Sequence, residues 1–196
     1  MKVGLYFGSF NPIHIGHLII ANHIKSNTEV DEVWFVVSPQ NPFKESSSLL
    51  NEQHRYTLVK IAVDDEPRLK ASNVEFLMPR PSYTIDTLIY LSEKFKQHSF
   101  FLIIGSDSYR NFNKWKNYKQ IILNYNIFIY PRPSFPINED LPSSIKLVNA
   151  PLLEISSTQI RRYIKYKKSI RYLVTDKVME EIELKGYYKS KLENPT

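Results

Sequence analysis

The chain has 196 residues, of which 42% are hydrophobic, a size and composition typical of one compact domain. No apolar run approaches the ~20 residues of a membrane span, and the N-terminus shows no cleavable signal pattern. We therefore expect a cytoplasmic protein without membrane partners. The absence of cysteine excludes disulfides, thiolate metal sites and cysteine nucleophiles. The net charge of +6 suits an anionic partner. We interpret the basic stretch 161–171 as solvated helix faces and expect no nucleic-acid partner.

Apolar segments alternate with segments of helical periodicity in the first 131 residues. Strands are predicted over 2–8, 32–39, 73–78, 100–105 and 127–131, and helices over 16–27, 52–65, 83–96 and 118–124. This order predicts an α/β fold, a Rossmann-like, doubly wound and mainly parallel sheet with right-handed crossovers. In such a fold, ligands bind beyond the carboxyl ends of the strands.

The rest of the chain has a different character. Residues 130–144 are rich in proline and predict one long surface loop. Two helices are predicted within 155–188, the second with Thr175 as its N-cap and Gly186 at its end. We expect a single domain over 1–196 that has a helical C-terminal segment at about 155–190.

The turn after the first predicted strand reads GSFNPIHIGH, residues 8–17. Gly8 allows a sharp bend, and Gly16 lets a phosphate approach the N-terminus of the next helix. His14 and His17 are three residues apart and face the same side of that helix, where imidazoles can donate hydrogen bonds to phosphate oxygens. Zinc is a weaker alternative, because no third ligand follows at metal-site spacing. The remaining histidines are interpreted as packed or exposed residues without chemistry: His23, His54 and His98.

Five motifs carry a family resemblance. The first turn resembles the H-x-G-H motif of the nucleotidyltransferase superfamily, which class I aminoacyl-tRNA synthetases share. The segment ISSTQIRR (155–162) is similar to the I-S-x-T-x-I-R motif of nicotinate and nicotinamide mononucleotide adenylyltransferases. A synthetase is disfavoured, since its lysine-rich second signature and the length for its further modules are absent. Three more segments resemble, in order, those of bacterial nicotinate-mononucleotide adenylyltransferases: SPQNPFK (38–44), RPSYTIDTL (80–88) and FLIIGSDSYRNFNKWKNY (101–118).

This resemblance implies adenylyl transfer from ATP, bound with Mg²⁺, to nicotinate mononucleotide. It implies catalytic roles for His14, His17 and Arg161, and no metal-ligating side chain. The implied ATP-binding residues are Gly8, Ser9, Phe10, His14, Gly16, His17, Gly105, Asp107, Ser157, Thr158 and Arg161. The implied acceptor-binding residues are Lys44, Ser82, Tyr83, Thr84 and Trp115.

Each of these assignments has a structural alternative. Trp115 offers a flat face for a pyridine ring or packs in the core. Asp107 accepts bonds from ribose or caps the next turn, and either Ser157 or Thr158 caps the helix that carries Arg161. Residues 82–84 hold a carboxylate with their N–H groups or only begin a helix, and Lys44 reaches a phosphate or lies in solvent.

Two departures from the family pattern, and two rival functions, remain. Ser9 and Asn11 replace a threonine and an aspartate that many family members carry, so we expect Asn11 to have a conformational role and propose no side-chain nucleophile.

One rival function is a transferase of the same kind whose acceptor is nicotinamide mononucleotide instead of nicotinate mononucleotide. The other rival is a basic nucleic-acid-binding module on an inactive nucleotide fold.

Overall fold

A computed structural model of the chain describes residues 1–39, 49–137 and 140–189. Its six strands in the described ranges, β1 to β6, are Lys2–Gly8, Glu32–Val37, Leu69–Ser72, Ser99–Gly105, Asn126–Tyr130 and Ile145–Leu147. The helices α1 to α7 in the same ranges are Ile15–Asn27, Glu52–Val63, Thr84–Lys94, Ser106–Tyr109, Tyr118–Asn124, Ser157–Lys165 and Asp176–Lys185. Two short 3₁₀ helices are Val74–Leu77 and Phe112–Lys114.

The strands form one parallel sheet in the order β3-β2-β1-β4-β5-β6. The predicted Rossmann-like α/β fold is confirmed. The chain order reverses between β1 and β4, which are hydrogen-bonded neighbours. In a doubly wound sheet the crevice for ligands opens at this reversal, beyond the carboxyl ends of the strands. Those ends are Gly8 and Gly105.

Side chains that alternate along the strands build a separate core on each side of the sheet. On β2, Val33 and Phe35 belong to one core and Val36 to the other. The first core packs against α1, α2, α6 and α7, and the second against α3 and α5. Because both faces are covered, the strands contain continuous apolar runs. The rigid sheet thus fixes the loops at its carboxyl edge.

The prediction of a strand at 73–78 is wrong. The third strand is Leu69–Ser72, which pairs with β2, and the chain then turns into the 3₁₀ helix Val74–Leu77. The apolar letters of 73–78 suggested a strand, but Val74 is buried together with a carboxyl group, that of Glu75. Pairing with β2 selects LKAS as the strand, although half of its residues are polar.

Two short elements in the other half of the sheet were also not predicted. The short strand β6 follows the proline-rich stretch and pairs with β5, leaving Lys146 and Leu147 exposed at the sheet edge. The one-turn helix α4 follows β4 directly. Both are too short to leave a periodic signal in the sequence.

The predicted tail helices are confirmed. The Thr175 side chain accepts a hydrogen bond from the Val178 N–H, and Gly186 ends α7 with a left-handed φ of 65°. Glycine adopts this conformation without steric cost. Within the described part of the chain, every helix is too short or too polar to cross a membrane.

Candidate active site

Two clefts open at the carboxyl edge of the sheet and meet between β1 and β4. We call them the histidine cleft and the tryptophan cleft. The histidine cleft is lined by the first turn, the start of α6, Asp107 and Arg132. The tryptophan cleft is lined by Ser38, Glu75, the start of α3 and Trp115. Residues common to both form the seam between the clefts: Tyr6, Phe7, Gly8, Ser108 and Tyr130.

Phe10 shapes the first turn from inside. Its backbone is left-handed, with φ 43°, and its buried ring packs edge-on against Tyr6, His17 and Phe35 at centroid distances of 5.1 to 5.8 Å. A Cβ atom on Gly8 would lie 2.8 Å from the Phe10 ring. Gly8 therefore makes room for this ring, and the packed ring fixes the turn at the mouth of the histidine cleft.

His14 and His17 stack with ring centroids 3.6 Å apart. The His14 backbone N–H donates to His17 Nδ1 at 3.2 Å. Since Nδ1 accepts this bond, the proton of the neutral His17 ring is on Nε2. The predicted pairing of the two imidazoles on one side of the turn is therefore present, with the His17 tautomer set by the backbone.

Burial keeps His14 uncharged. The residue is 3% exposed, and burial, together with the positive charge of Arg132, lowers its pKa to about 3. A Cβ atom on Gly16 would lie 3.1 Å from the His14 ring. The space above Gly16 is thus occupied by an imidazole, so the expected approach of a phosphate would have to pass this ring.

Helix α6 is clamped onto the first turn by hydrogen bonds between residues about 150 positions apart. Ser157 Oγ donates to the Pro12 carbonyl at 2.8 Å, and Arg161 Nη1 donates to the Asn11 carbonyl at 2.8 Å. Arg161 Nη2 also donates to Thr158 Oγ1 at 3.3 Å. These contacts place the N-terminus of α6 and the Arg161 guanidinium at the histidine cleft.

One expectation about this clamp changes, and a further contact joins it. The N-cap of α6 is Ser156, whose Oγ accepts from the Gln159 N–H at 3.2 Å; the predicted caps Ser157 and Thr158 are the first helical residues. The buried Asn11 side chain accepts a hydrogen bond from the Leu50 N–H. This contact ties the first turn to the segment that leads into α2.

Arg132 was not found from the sequence. Its Nε lies 3.9 Å from Asp107 Oδ1, and its guanidinium lies over the Tyr130 ring. A side chain on Gly105 would collide with the Asp107 carboxylate. Asp107 therefore reaches the histidine cleft because Gly105 leaves the space for it, and Arg132 lies beside it as a second cation. The sequence shows Arg132 only as a basic residue in a proline-rich stretch.

The tryptophan cleft is built from the start of α3 and the loop before α5. Tyr83 is the N-cap residue of α3, and its side chain makes no capping bond. Trp115 is half-buried, with its ring 5.1 Å from that of Phe112. Lys116 lies over the Tyr83 ring at 4.6 Å and pairs with Asp86 at 2.8 Å. The two walls are thus joined across the cleft.

Glu75 is a second residue that the sequence analysis missed. It is 2% exposed and accepts a hydrogen bond from Thr87 Oγ1 at 3.0 Å, beside Ser82. Burial raises the pKa of its carboxyl group. Lys44, predicted to face the acceptor, lies outside the described residues.

A doubly wound sheet with stacked histidines in its first turn and an arginine clamp over them defines the class of H-x-G-H nucleotidyltransferases. Residues 5–163 match the cytidylyltransferase-like family model. At 54% identity, the chain is similar to a probable nicotinate-nucleotide adenylyltransferase of Cytophaga hutchinsonii, with 96% of this chain and 98% of the relative covered. The chain is also similar to a probable nicotinate-nucleotide adenylyltransferase of Flavobacterium psychrophilum, at 47% identity, with 96% of this chain and 100% of the relative covered.

Solved structures show the same fold. The chain is similar to Plasmodium falciparum nicotinic acid mononucleotide adenylyltransferase complexed with NaAD, with a TM-score of 0.80 at 21% identity over 95% of this chain and 97% of that one. The same protein complexed with APC gives a TM-score of 0.78. The chain belongs to the nicotinate-nucleotide adenylyltransferase family.

Proposed function

We propose that this chain transfers the adenylyl group of ATP to nicotinate mononucleotide, giving nicotinate adenine dinucleotide and pyrophosphate, a step of NAD biosynthesis in the cytoplasm. One observation carries the proposal. The histidine cleft, suited to a triphosphate, and the tryptophan cleft, suited to an aromatic carboxylate, share a seam at the switch point of the sheet. Two substrates bound there would meet at that seam.

The reaction is a phosphorus-centred displacement. A phosphate oxygen of nicotinate mononucleotide attacks the α-phosphorus of ATP, and the bond to the β-phosphate oxygen breaks, so pyrophosphate leaves with the electron pair. Since the attacking phosphate is already anionic, no general base is needed. Catalysis then consists of positioning and of stabilising charge on phosphate oxygens.

The histidine cleft supplies donors for that charge. His17 Nε2–H donates to an α-phosphate oxygen, because Nδ1 accepts from the backbone. His14 holds the His17 ring by stacking and stays neutral. Arg161 and the N-terminus of α6 bind the leaving pyrophosphate, and Arg132 adds a second guanidinium. Asp107 accepts hydrogen bonds from the ribose hydroxyls.

The tryptophan cleft supports the acid over the amide as acceptor. The first N–H groups of a helix lack acceptors within the helix, and its positive end favours an anion. At the start of α3, the N–H groups of residues 82–84 bind the carboxylate of nicotinate while Trp115 stacks on the ring. The NH₂ group of nicotinamide would face donors there and lose a bond.

A divalent metal ion accompanies ATP in nucleotidyltransferases, and we propose Mg²⁺. Across residues 1–39, 49–137 and 140–189 there is no group of three or more side chains suited to hold a metal. This finding fits an ion that keeps its waters and binds mainly to the triphosphate, as Mg²⁺ does. When bound, the ion would neutralise charge on the phosphates.

The test is pyrophosphate release from Mg-ATP with nicotinate mononucleotide, with nicotinamide mononucleotide, and without acceptor. We expect release with the acid far above the amide and none without acceptor. Equal pyrophosphate release with the acid and the amide would show instead that the enzyme accepts both mononucleotides. Absence of release with either, together with salt-sensitive binding of a random oligonucleotide, would favour the nucleic-acid-binding alternative.

A further inference from the structure

Two tyrosine hydroxyls lie at the seam between the clefts. Tyr6, on β1, and Tyr130, at the end of β5, are 4% and 5% exposed, and both line the histidine cleft and the tryptophan cleft. Their hydroxyl oxygens are 3.0 Å apart. The proposed reaction as described so far uses neither hydroxyl, and the bond between them satisfies only one of their two protons.

The direction of the hydrogen bond between the two hydroxyls shows that the Tyr130 proton is the one left without an acceptor in the described residues. Tyr6 donates and Tyr130 accepts. Burial raises the pKa of Tyr130, while the positive charge of Arg132, whose guanidinium lies over the Tyr130 ring, acts in the opposite direction. A phenol oxygen has two lone pairs and one proton. One lone pair accepts from Tyr6, and within the described residues no acceptor receives the Tyr130 proton.

The environment determines what can accept this proton. Gly105 leaves space beside the Tyr130 hydroxyl, since a Cβ atom there would lie 3.1 Å from it. Arg132 and the first turn flank it on the side of the histidine cleft. The Asp107 carboxylate lies on the same side, over Gly105, where it pairs with Arg132 and, among the described residues, makes no hydrogen bond to Tyr130. The guanidinium and the neutral phenol donor are together complementary to an anionic oxygen. Under the proposed function, the oxygens at the seam are those of the phosphate groups that react.

We propose that the Tyr130 hydroxyl is a further catalytic group, which donates a hydrogen bond to a phosphate oxygen at the seam, and that Tyr6 is its positioning residue. The inference rests on the proposed function. The Tyr130 oxygen accepts from Tyr6, so its own O–H is turned away from Tyr6 and toward the seam. The donor is already in place before charge builds up in the transition state, so it acts mainly on kcat.

Tyrosine-to-phenylalanine variants remove only the hydroxyl. We expect Tyr130→Phe to lower kcat by about tenfold to a hundredfold, with KM for ATP and for nicotinate mononucleotide changed less than about threefold. Tyr6→Phe lowers kcat less, and the double variant is no slower than Tyr130→Phe, because Tyr6 acts through Tyr130. The matched control is Tyr125→Phe, whose hydroxyl contacts Ser92 away from both clefts.

The outcomes are distinct. If wild-type enzyme turns over and Tyr130→Phe has a kcat within twofold of that of Tyr125→Phe, the inference is wrong while the proposed function stands. A rise in KM alone also overturns it. Thermal melting reports whether each variant is folded. If Tyr130→Phe is unfolded, Tyr6→Phe decides, since an unchanged kcat there contradicts the positioning role. Absence of wild-type turnover refutes the proposed function and, with it, this inference.

Discussion

The two clefts share one edge of the sheet but are held together differently. In the histidine cleft, the first turn and α6 are joined by half-buried hydrogen bonds between residues about 150 positions apart. They run from Ser157 and Arg161 to the backbone carbonyls of Pro12 and Asn11. In the tryptophan cleft, the two walls are joined by the exposed pair of Lys116 and Asp86. Under the proposed function, the reaction would take place in the cleft with the stronger closure, and the acceptor would be recognised in the cleft with the weaker one.

The sharpest test of this contrast is His17→Ala. We expect kcat to fall by about a hundredfold or more with a smaller change in either KM, since the lost donor acts mainly in the transition state. Steady-state kinetics with both substrates measure this. His23→Ala on the same helix is the control and should behave as wild type. A variant that raises KM while keeping kcat would assign His17 to ground-state binding instead.

The rigid packing around His14 predicts a pH effect on stability. Its pKa is about 3 in the folded chain against 6.5 for an ordinary histidine, so between these values the unfolded chain binds a proton that the folded chain does not. The free energy of unfolding therefore falls as the pH falls, and the contribution of His14 to this fall is about 2 kcal/mol between pH 6 and pH 4.5. Urea unfolding of wild type and His14→Asn at both pH values measures it. Equal losses in the two proteins would contradict the prediction.

In the tryptophan cleft we expect smaller and more selective effects. Trp115→Ala should raise KM for nicotinate mononucleotide by about tenfold, the loss expected for one stacked ring, and leave KM for ATP unchanged. Trp115→Phe keeps a flat ring and should recover part of the loss. If both substrates bind more weakly by the same factor, Trp115 is a packing residue and does not stack on the acceptor.

The smallest effect is expected for the bridge between the walls. Both side chains of the pair formed by Lys116 and Asp86 are substantially exposed, 43% and 39%, and such pairs contribute little. Lys116→Ala should raise KM for the acceptor by no more than about fivefold. Asp86→Ala removes the other member of the same ion pair and should raise this KM by a similar factor. A kcat loss comparable with that of His17→Ala would show that this wall also takes part in the chemistry.

Much of the fold could be predicted because its strands and helices carry clear periodicity. The predicted strand 2–8 and helix 118–124 have the observed bounds, and Thr175 and Gly186 delimit α7. The predictions failed at β3 and β6. Both are short strands of mixed polarity, and their conformation depends on the neighbouring strand with which they pair.

Most of the candidate site could be named from motifs, but its partners could not. His14 and His17 lie within one motif, and the structure stacks them. Arg132, Glu75 and Tyr130 stand in stretches with no recognisable spacing, and they face the clefts only because β5 and the turn after β3 end at the same edge. Their roles, like those of the motif residues, stay predictions until the variants are measured.

The sequence by itself determined the doubly wound sheet, the positions of its first turn and tail-helix cap and, through the resemblance of its motifs, the family. Those features are local, since alternation of apolar residues, glycine turns and helix caps act within a few residues. Only the tertiary structure decided that α6 clamps the first turn, that His14 is buried and uncharged, and that two tyrosine hydroxyls meet at the seam. These features arise from contacts between residues up to 150 positions apart, and burial and electrostatics at such contacts exist only after the chain has folded.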